Sequence, residues 1–404
     1  LISAIANRYK AAYSGLPREV WMLTFVLLVN RSGSMVIFFM TLYLTQSLNH
    51  SIIEAGQILS SYGIGALLGA YLGGWLTDLW GTKTVQMLTL ILAGVLFVIL
   101  GYVESIIPIA VLLFLIAVMA EGFRPASLAA VAEYVPPALR PRSYAMLRLA
   151  SNLGVVIGPA VGGLLATVGY VYLFWADGLT CLFAAGLFWI FFHGKKPKSH
   201  VESSKIVAAV DSPWRDKIFI ITLLTVFPLG LVFTQVLNTW PIYFKEVYHL
   251  VESEIGTLLG LNGALIVLVE MPIIHWLETK NVLRIMSIGA LIFYAGFAML
   301  PLGSTYLYAI ITVIIWSIGE VMVFPLISSF VANRSAESNR GKYMGMLTFA
   351  FSLPLVVGPV VGTWIYHTLG PDNLWYLLGA SGLLVFFGFE IVNKMVKKEK
   401  SSMA

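Results

Sequence analysis

Four ionisable residues sit in the middle of long apolar runs: Arg31, Glu121, Arg124 and Glu320. At bilayer depth each costs about 2.5–3.5 kcal/mol on insertion scales, so each is expected to have a function. Glu121 and Arg124 are three residues apart and share a helical face. Burial and a neighbouring guanidinium pull a carboxylate's proton affinity in opposite directions. A balance between them lets the group bind and release a proton near neutral pH. Arginine keeps its proton. The expected proton carriers are therefore Glu121 first and Glu320 second, with Arg31 and Arg124 as their tuning partners.

Glu270 reads as a further titrating site, or as a partner of His275. Arg148 reads as a snorkelling side chain near a span end, and Asp177 as structural. Asn30, Gln235, Asn238, Trp240 and Asn262, with Arg31, Arg124 and Glu320, offer amide, aromatic and charged contacts that suit an amphipathic organic ligand. Pro241 is the expected kink among them. The sequence has no phosphate-binding loop, no Cys/His cluster at metal-ligand spacing and no catalytic triad. The expectation is a non-enzyme without cofactor or metal, driven by an ion or substrate gradient.

These residues need elements to hold them. Hydrophobic residues make up 59% of the chain and charged residues 11%, against about 25% charged in soluble domains. The alternation of a membrane β-barrel is absent, so the apolar runs read as helices. Twelve spans are expected, at 20–45, 53–77, 84–103, 108–131, 144–168, 170–193, 218–244, 253–276, 282–301, 305–331, 343–368 and 372–394. Of the 25 Lys and Arg, Arg31, Arg124 and Arg148 lie within spans, and only Lys245 falls on the side opposite all the rest. By the positive-inside rule both termini are cytoplasmic. The net charge of +5 then reports membrane orientation, and no nucleic-acid partner is expected. No cleavable signal is expected in the first segment, which lacks an apolar core. Cys181, the single cysteine, reads as packing.

The chain also repeats at a spacing of 200 residues. Across Met146–Gly162 and Met346–Gly362, nine of 17 positions match. Two similar halves are how secondary transporters build a pathway open alternately to each side. The expected organisation is a lead-in at 1–19, a six-helix bundle at 20–193, a linker at 194–217, a second bundle at 218–394 and a solvated tail at 395–404.

Two motifs carry a resemblance. The segment Gly74-Trp75-Leu76-Thr77-Asp78-Leu79-Trp80-Gly81-Thr82-Lys83 resembles the signature loop of the major facilitator superfamily, although Leu79 stands where the family usually has a basic residue. Gly74 would let helices approach, Asp78 would face a helix N-terminus or a base, and Gly81 would allow the turn. Lys83 and Arg142 complete the expected gate. The run Gly154-Val155-Val156-Ile157-Gly158-Pro159-Ala160-Val161-Gly162-Gly163 is similar to the antiporter motif of proton-driven drug exporters in that superfamily, and Gly358-Pro359-Val360-Val361-Gly362 echoes it. These glycines and prolines read as a packing pivot.

The resemblance implies an all-α membrane protein of twelve transmembrane helices in two pseudo-symmetric six-helix bundles. It places spans 1, 4, 7 and 10 around a central cavity. It further implies a multi-pass carrier of the plasma membrane in a prokaryote, working by alternating access. Its partners would be protons, a small-molecule substrate and the lipid bilayer, and a monomer suffices. Export of amphipathic molecules is the leading expectation. Uptake of zwitterions such as di- and tripeptides is the rival, and a non-transporting receptor or scaffold is the third reading.

Overall fold

A computed structural model describes residues 15–136, 139–194, 213–277, 281–335 and 339–403. Most of the lead-in and linker lie outside the described residues, as does Glu278, the repeat partner of Asp78. Helix is the only regular structure among the described residues, as a bilayer demands of a backbone that has no water to bond.

Ten helices are long and apolar enough to cross a membrane. One of them, Ile52–Leu100, turns at Gly81 and supplies spans 2 and 3. The shorter apolar helix Val282–Ala298 completes the expected twelve. Span 1 comprises α1 (Arg18–Ser32) and α2 (Val36–Leu42), and α3 is Ile52–Leu100. Spans 4 to 6 are α4 (Ile106–Tyr134), α5 (Arg140–Val168) and α6 (Val171–Phe192). Span 7 comprises α7 (Lys217–Gln235) and α8 (Thr239–Glu246). Spans 8 to 12 are α9 (Glu252–Leu277), α10 (Val282–Ala298), α11 (Tyr306–Arg334), α12 (Arg340–Leu369) and α13 (Pro371–Met403).

Three features depart from the expected pattern. The segment Gly74–Lys83 is helix interrupted only by Gly81, whose φ of 78° and ψ of 158° lie in a region essentially reserved for glycine. The break in span 7 falls at 236–238, before Pro241. Pro241 sits in the first turn of α8, where a missing N–H costs nothing. The expected solvated tail is helical as far as Met403, and its Glu399 bonds to Arg334 at 3.0 Å.

Within the first half, α3 packs on α4 and α6, and α1 on α5 and α6. Within the second, α10 packs on α11 and α13, and α7 on α12 and α13. The halves meet along two main crossings, α5 with α9 and α3 with α12. Small residues make both possible: Gly163 lies against Gly256, and Gly56 against Thr363.

Helix ends gather at two poles, one marked by Tyr43 and one by Gly81. The Tyr43 end is shut. Thr41, Leu42, Leu44, Trp240, Ile242 and Phe244 are fully buried there, and Thr41 donates to the Leu237 carbonyl at 3.4 Å. The α3–α12 crossing is tight at Gly56 and Gly63, where Ser60 donates to the Val356 carbonyl at 2.6 Å. About five helical turns beyond Gly56 and its neighbour Thr363, Gly74 and Gly345 lie on the same faces, and a side chain at either would meet nothing within 4 Å of its Cβ. The crossing therefore parts toward the Gly81 end.

Candidate functional site

Two acidic residues of the second half, Glu320 and Glu270, line one cleft. Asn262 on α9 donates to Glu320 Oε2 at 2.9 Å and to Ser317 Oγ at 3.0 Å. Glu320 is only 9% exposed. It faces a cleft of about 250 Å³ lined also by Arg148, Asn152, Ile266, Glu270 and Phe324. Arg148 on α5 forms an ion pair with Glu270 on α9. One guanidinium from the first half thus pairs with a carboxylate of the second in a cleft that Glu320 also lines. The Phe324 ring stacks on Phe351 and gives the cleft an apolar wall. Such a site can take a proton on Glu320, or an organic ligand with a cationic group against it.

Arg148 and Asn152 were not expected here. Arg148 is half-exposed, as snorkelling requires, yet its charge is held by Glu270. The sequence does carry a clue: Arg148 and Glu270 are oppositely charged at similar depth on spans whose glycines mark them as packing partners.

The first-half charges form a separate set. Asn30, Arg31, Tyr62, Asp177 and Cys181 line another cavity. Tyr62 lies within electrostatic reach of Arg31, Glu121 and Asp177. Glu121 is half-buried, and Arg124 is exposed. Among the described residues neither forms an ion pair, so the expected Glu121–Arg124 couple on one face is not formed. Asn30 donates to Cys181 Sγ at 3.5 Å.

Gln235, Asn238 and Trp240 do not line the Glu320 cleft, and all three are buried in helix packing. Both amides are occupied by partners around the break in span 7. Gln235 donates to the Gly358 carbonyl at 3.0 Å and accepts from Thr239 at 2.9 Å. Asn238 donates to the Thr234 carbonyl at 2.5 Å. Trp240 packs edge-on against Phe244.

The motif glycines sit at the breaks. Gly154 lies against Arg31, Gly158 against Ser32 and Ser34, and Gly162 against Met35. Gly163, one residue on, turns to the other half and meets Gly256. In the second half, Gly358 and Gly362 lie against Thr234 and Gln235, just before the span 7 break. Pro159 and Pro359 lie inside unbroken helices, and their carbonyls face Gly256 and Gly56.

Of the expected gate, Asp78 is exposed and has no polar partner among the described residues. Lys83 donates to the Phe192 carbonyl at 3.1 Å, and Thr82 donates to Glu133 at 2.8 Å. Arg142 lies at the start of α5. The close contact expected of Gly74 belongs to Gly73, which packs on Gly122.

The sequence profile described as Major Facilitator Superfamily matches residues 20–354. A relative named "Na(+), Li(+), K(+)/H(+) antiporter" from Planococcus maritimus is 22% identical over 366 residues, covering 82% of this chain and 85% of its own. "Multidrug resistance protein MdtH" from Proteus mirabilis is 24% identical over 325 residues, covering 78% and 79%. Among solved structures, a POT family transporter in complex with 5-aminolevulinic acid superposes with a TM-score of 0.79 at 16% identity, covering 94% of this chain and 96% of that one. At that identity the likeness concerns the fold.

Proposed function

The chain belongs to the major facilitator superfamily, and from that premise we propose that it is a proton-coupled exporter of amphipathic small molecules working by alternating access. The observation that carries the reading is Glu320, a buried carboxylate hydrogen-bonded to Asn262 and facing a cleft bridged by Arg148 and Glu270. Proton and substrate would compete for this acidic wall, so the binding of one expels the other. That is the logic of exchange. Export is favoured by the likeness to relatives named for multidrug resistance and for cation/proton antiport.

In this reading the two bundles, 20–193 and 218–394, rock about the α5–α9 and α3–α12 crossings. The Gly81 end is cytoplasmic, because the basic residues gather there. The structure then corresponds to the state open to the cytoplasm, with the Asp78 gate disengaged. Glu320 takes over from Glu121 as the lead proton carrier, because it is the one whose cleft also holds an ion pair between the halves.

The test is transport into proteoliposomes with an imposed pH gradient. The reading expects ethidium or a similar lipophilic cation to accumulate against the proton flux, with no accumulation after the gradient is collapsed. Accumulation of a dipeptide with the proton flux would replace export by zwitterion uptake. No gradient-driven flux of either kind would leave a receptor or scaffold.

A further inference from the structure

Span 1 is cut in two between Ser32 and Val36, and the cut frees backbone donors inside the membrane. The first piece closes on itself: Gly33 N–H donates to the Asn30 carbonyl at 3.3 Å and Ser34 N–H to the Arg31 carbonyl at 3.1 Å. The N–H groups of Met35 and Val36 would otherwise be orphans. Both go to one side chain, Asp177 on α6. Met35 N–H lies 3.0 and 3.1 Å from its two oxygens, and Val36 N–H lies 2.9 Å from Oδ2. Asp177 is fully buried, and no cation pairs with it among the described residues.

The surroundings are built for the same cut. Gly33 lies so close to Thr180 that a side chain there would collide with it. Gly154, Gly158 and Gly162 of α5 run along the other side of the cut. Beyond it, α2 carries Thr41, which bonds to the Leu237 carbonyl across the shut Tyr43 end. The second half breaks span 7 at a comparable place, but there Gln235 and Asn238 donate to the Gly358 and Thr234 carbonyls, Asn238 does not cap α8, and Leu377 stands at the repeat position of Asp177. Among the described residues, a buried carboxylate that accepts the N–H groups freed at a span break is thus found in the first half alone.

We propose that Asp177 is a positioning residue that keeps span 1 in two separately movable pieces, so that α2 can seal and unseal the Tyr43 end while α1 stays packed on α5 and α6. This rests on the alternating-access reading, but its first test needs no substrate. Cys181 is the chain's single cysteine. It lies one helical turn beyond Asp177, is buried and accepts from Asn30 on α1. Its reaction with N-ethylmaleimide therefore reports separation of α6 from span 1.

The variant is Asp177→Asn. Its carbonyl oxygen can accept one of the two N–H groups, while its NH₂ turns donors toward the other. In purified protein that elutes as one species, Cys181 should be alkylated at least about ten-fold faster than in the wild type. If the Asn variant does not fold, Asp177→Ser is measured in its place, because a hydroxyl is a natural acceptor at a helix start. Labelling at the wild-type rate in a folded variant overturns the proposal. In proteoliposomes the maximal transport rate should fall at least about ten-fold with KM unchanged. A raised KM at an unchanged maximal rate would place Asp177 at the substrate and also overturn it. Absence of transport by the wild type would count against the exporter reading and leave the labelling result standing.

Discussion

The Tyr170 hydroxyl donates to Glu252 Oε1 at 3.0 Å, and this bond, like that of Thr41 to the Leu237 carbonyl, ties the first half of the molecule to the second at the Tyr43 end. Lys245 pairs with the same oxygen at 2.8 Å, so the carboxylate is held from both sides. Just inside it, Gly163 and Gly256 meet. Tyr170→Phe removes the bridging donor and leaves the Lys245 pair. The expected outcome is a shift toward the conformation open at this end. It can be measured as at least about a three-fold faster reaction of a cysteine placed at Thr41 in a Cys181→Ala background. An unchanged rate would show that this hydrogen bond does not help keep the end shut.

Closure of the opposite end should bring Gly74 and Gly345 together, since they continue the faces that already touch at Gly56 and Gly63. A Gly74→Cys/Gly345→Cys pair, again without Cys181, should resist disulfide formation in the state described and cross-link when the Tyr43 end is opened by Tyr170→Phe. Equal cross-linking in both backgrounds would contradict a two-ended motion.

Glu320→Gln keeps the shape and the contact with Asn262 while removing the charge. Transport driven by a pH gradient should fall by at least about a hundred-fold, while exchange of labelled for unlabelled substrate persists. Glu121→Gln should leave coupling intact. The reverse pattern would return the proton to the first-half cavity. Arg148→Ala strands Glu270 in the cleft, and the cost of breaking a buried pair runs to about 3–5 kcal/mol. Because Arg148 is half-exposed, the loss should lie below that range, read as a lowered Tm in detergent.

At the Gly81 end, Asp216 caps α7 through Phe219 N–H at 3.1 Å and is held by Arg334, at 2.6 Å from Nε and 2.9 Å from Nη2, and by the Tyr343 hydroxyl at 3.0 Å. Burial opposes the charge of Asp216, but the Arg334 hydrogen bonds, the Phe219 amide and Tyr343 outweigh it and hold the carboxyl below its ordinary value of 3.8. A carboxyl that is more acidic folded than unfolded adds stability above the unfolded value and loses it as pH falls through the folded one. Asp216→Asn should therefore lower Tm near neutral pH and flatten its decline toward acid. Parallel curves for the two proteins would remove Asp216 from the acid response.

The fold was largely legible because its determinants are coarse. Apolar runs long enough to span and a 200-residue repeat are set by composition and register. The turn at Gly81 was legible because only glycine suits it. The site was less so. Glu320 and Glu270 stand out as carboxylates in apolar runs, but the cleft they share with Arg148 does not, because the partner of Arg148 lies 122 residues away on another span. Gln235 and Asn238 were assigned to the substrate, because nothing local announces that a helix will break there and claim their amides. Where a side chain's partner is chosen by tertiary packing, residue type alone gives the chemistry and not the address.

Only one residue's torsions interrupt the 49 residues of α3. Spans 2 and 3 therefore have no slack between them, and a tilt imposed on one must be absorbed at Gly81 or handed directly to the other. That joint works as a knee with a fixed bone on each side: the Gly81 end can swing, but it cannot stretch.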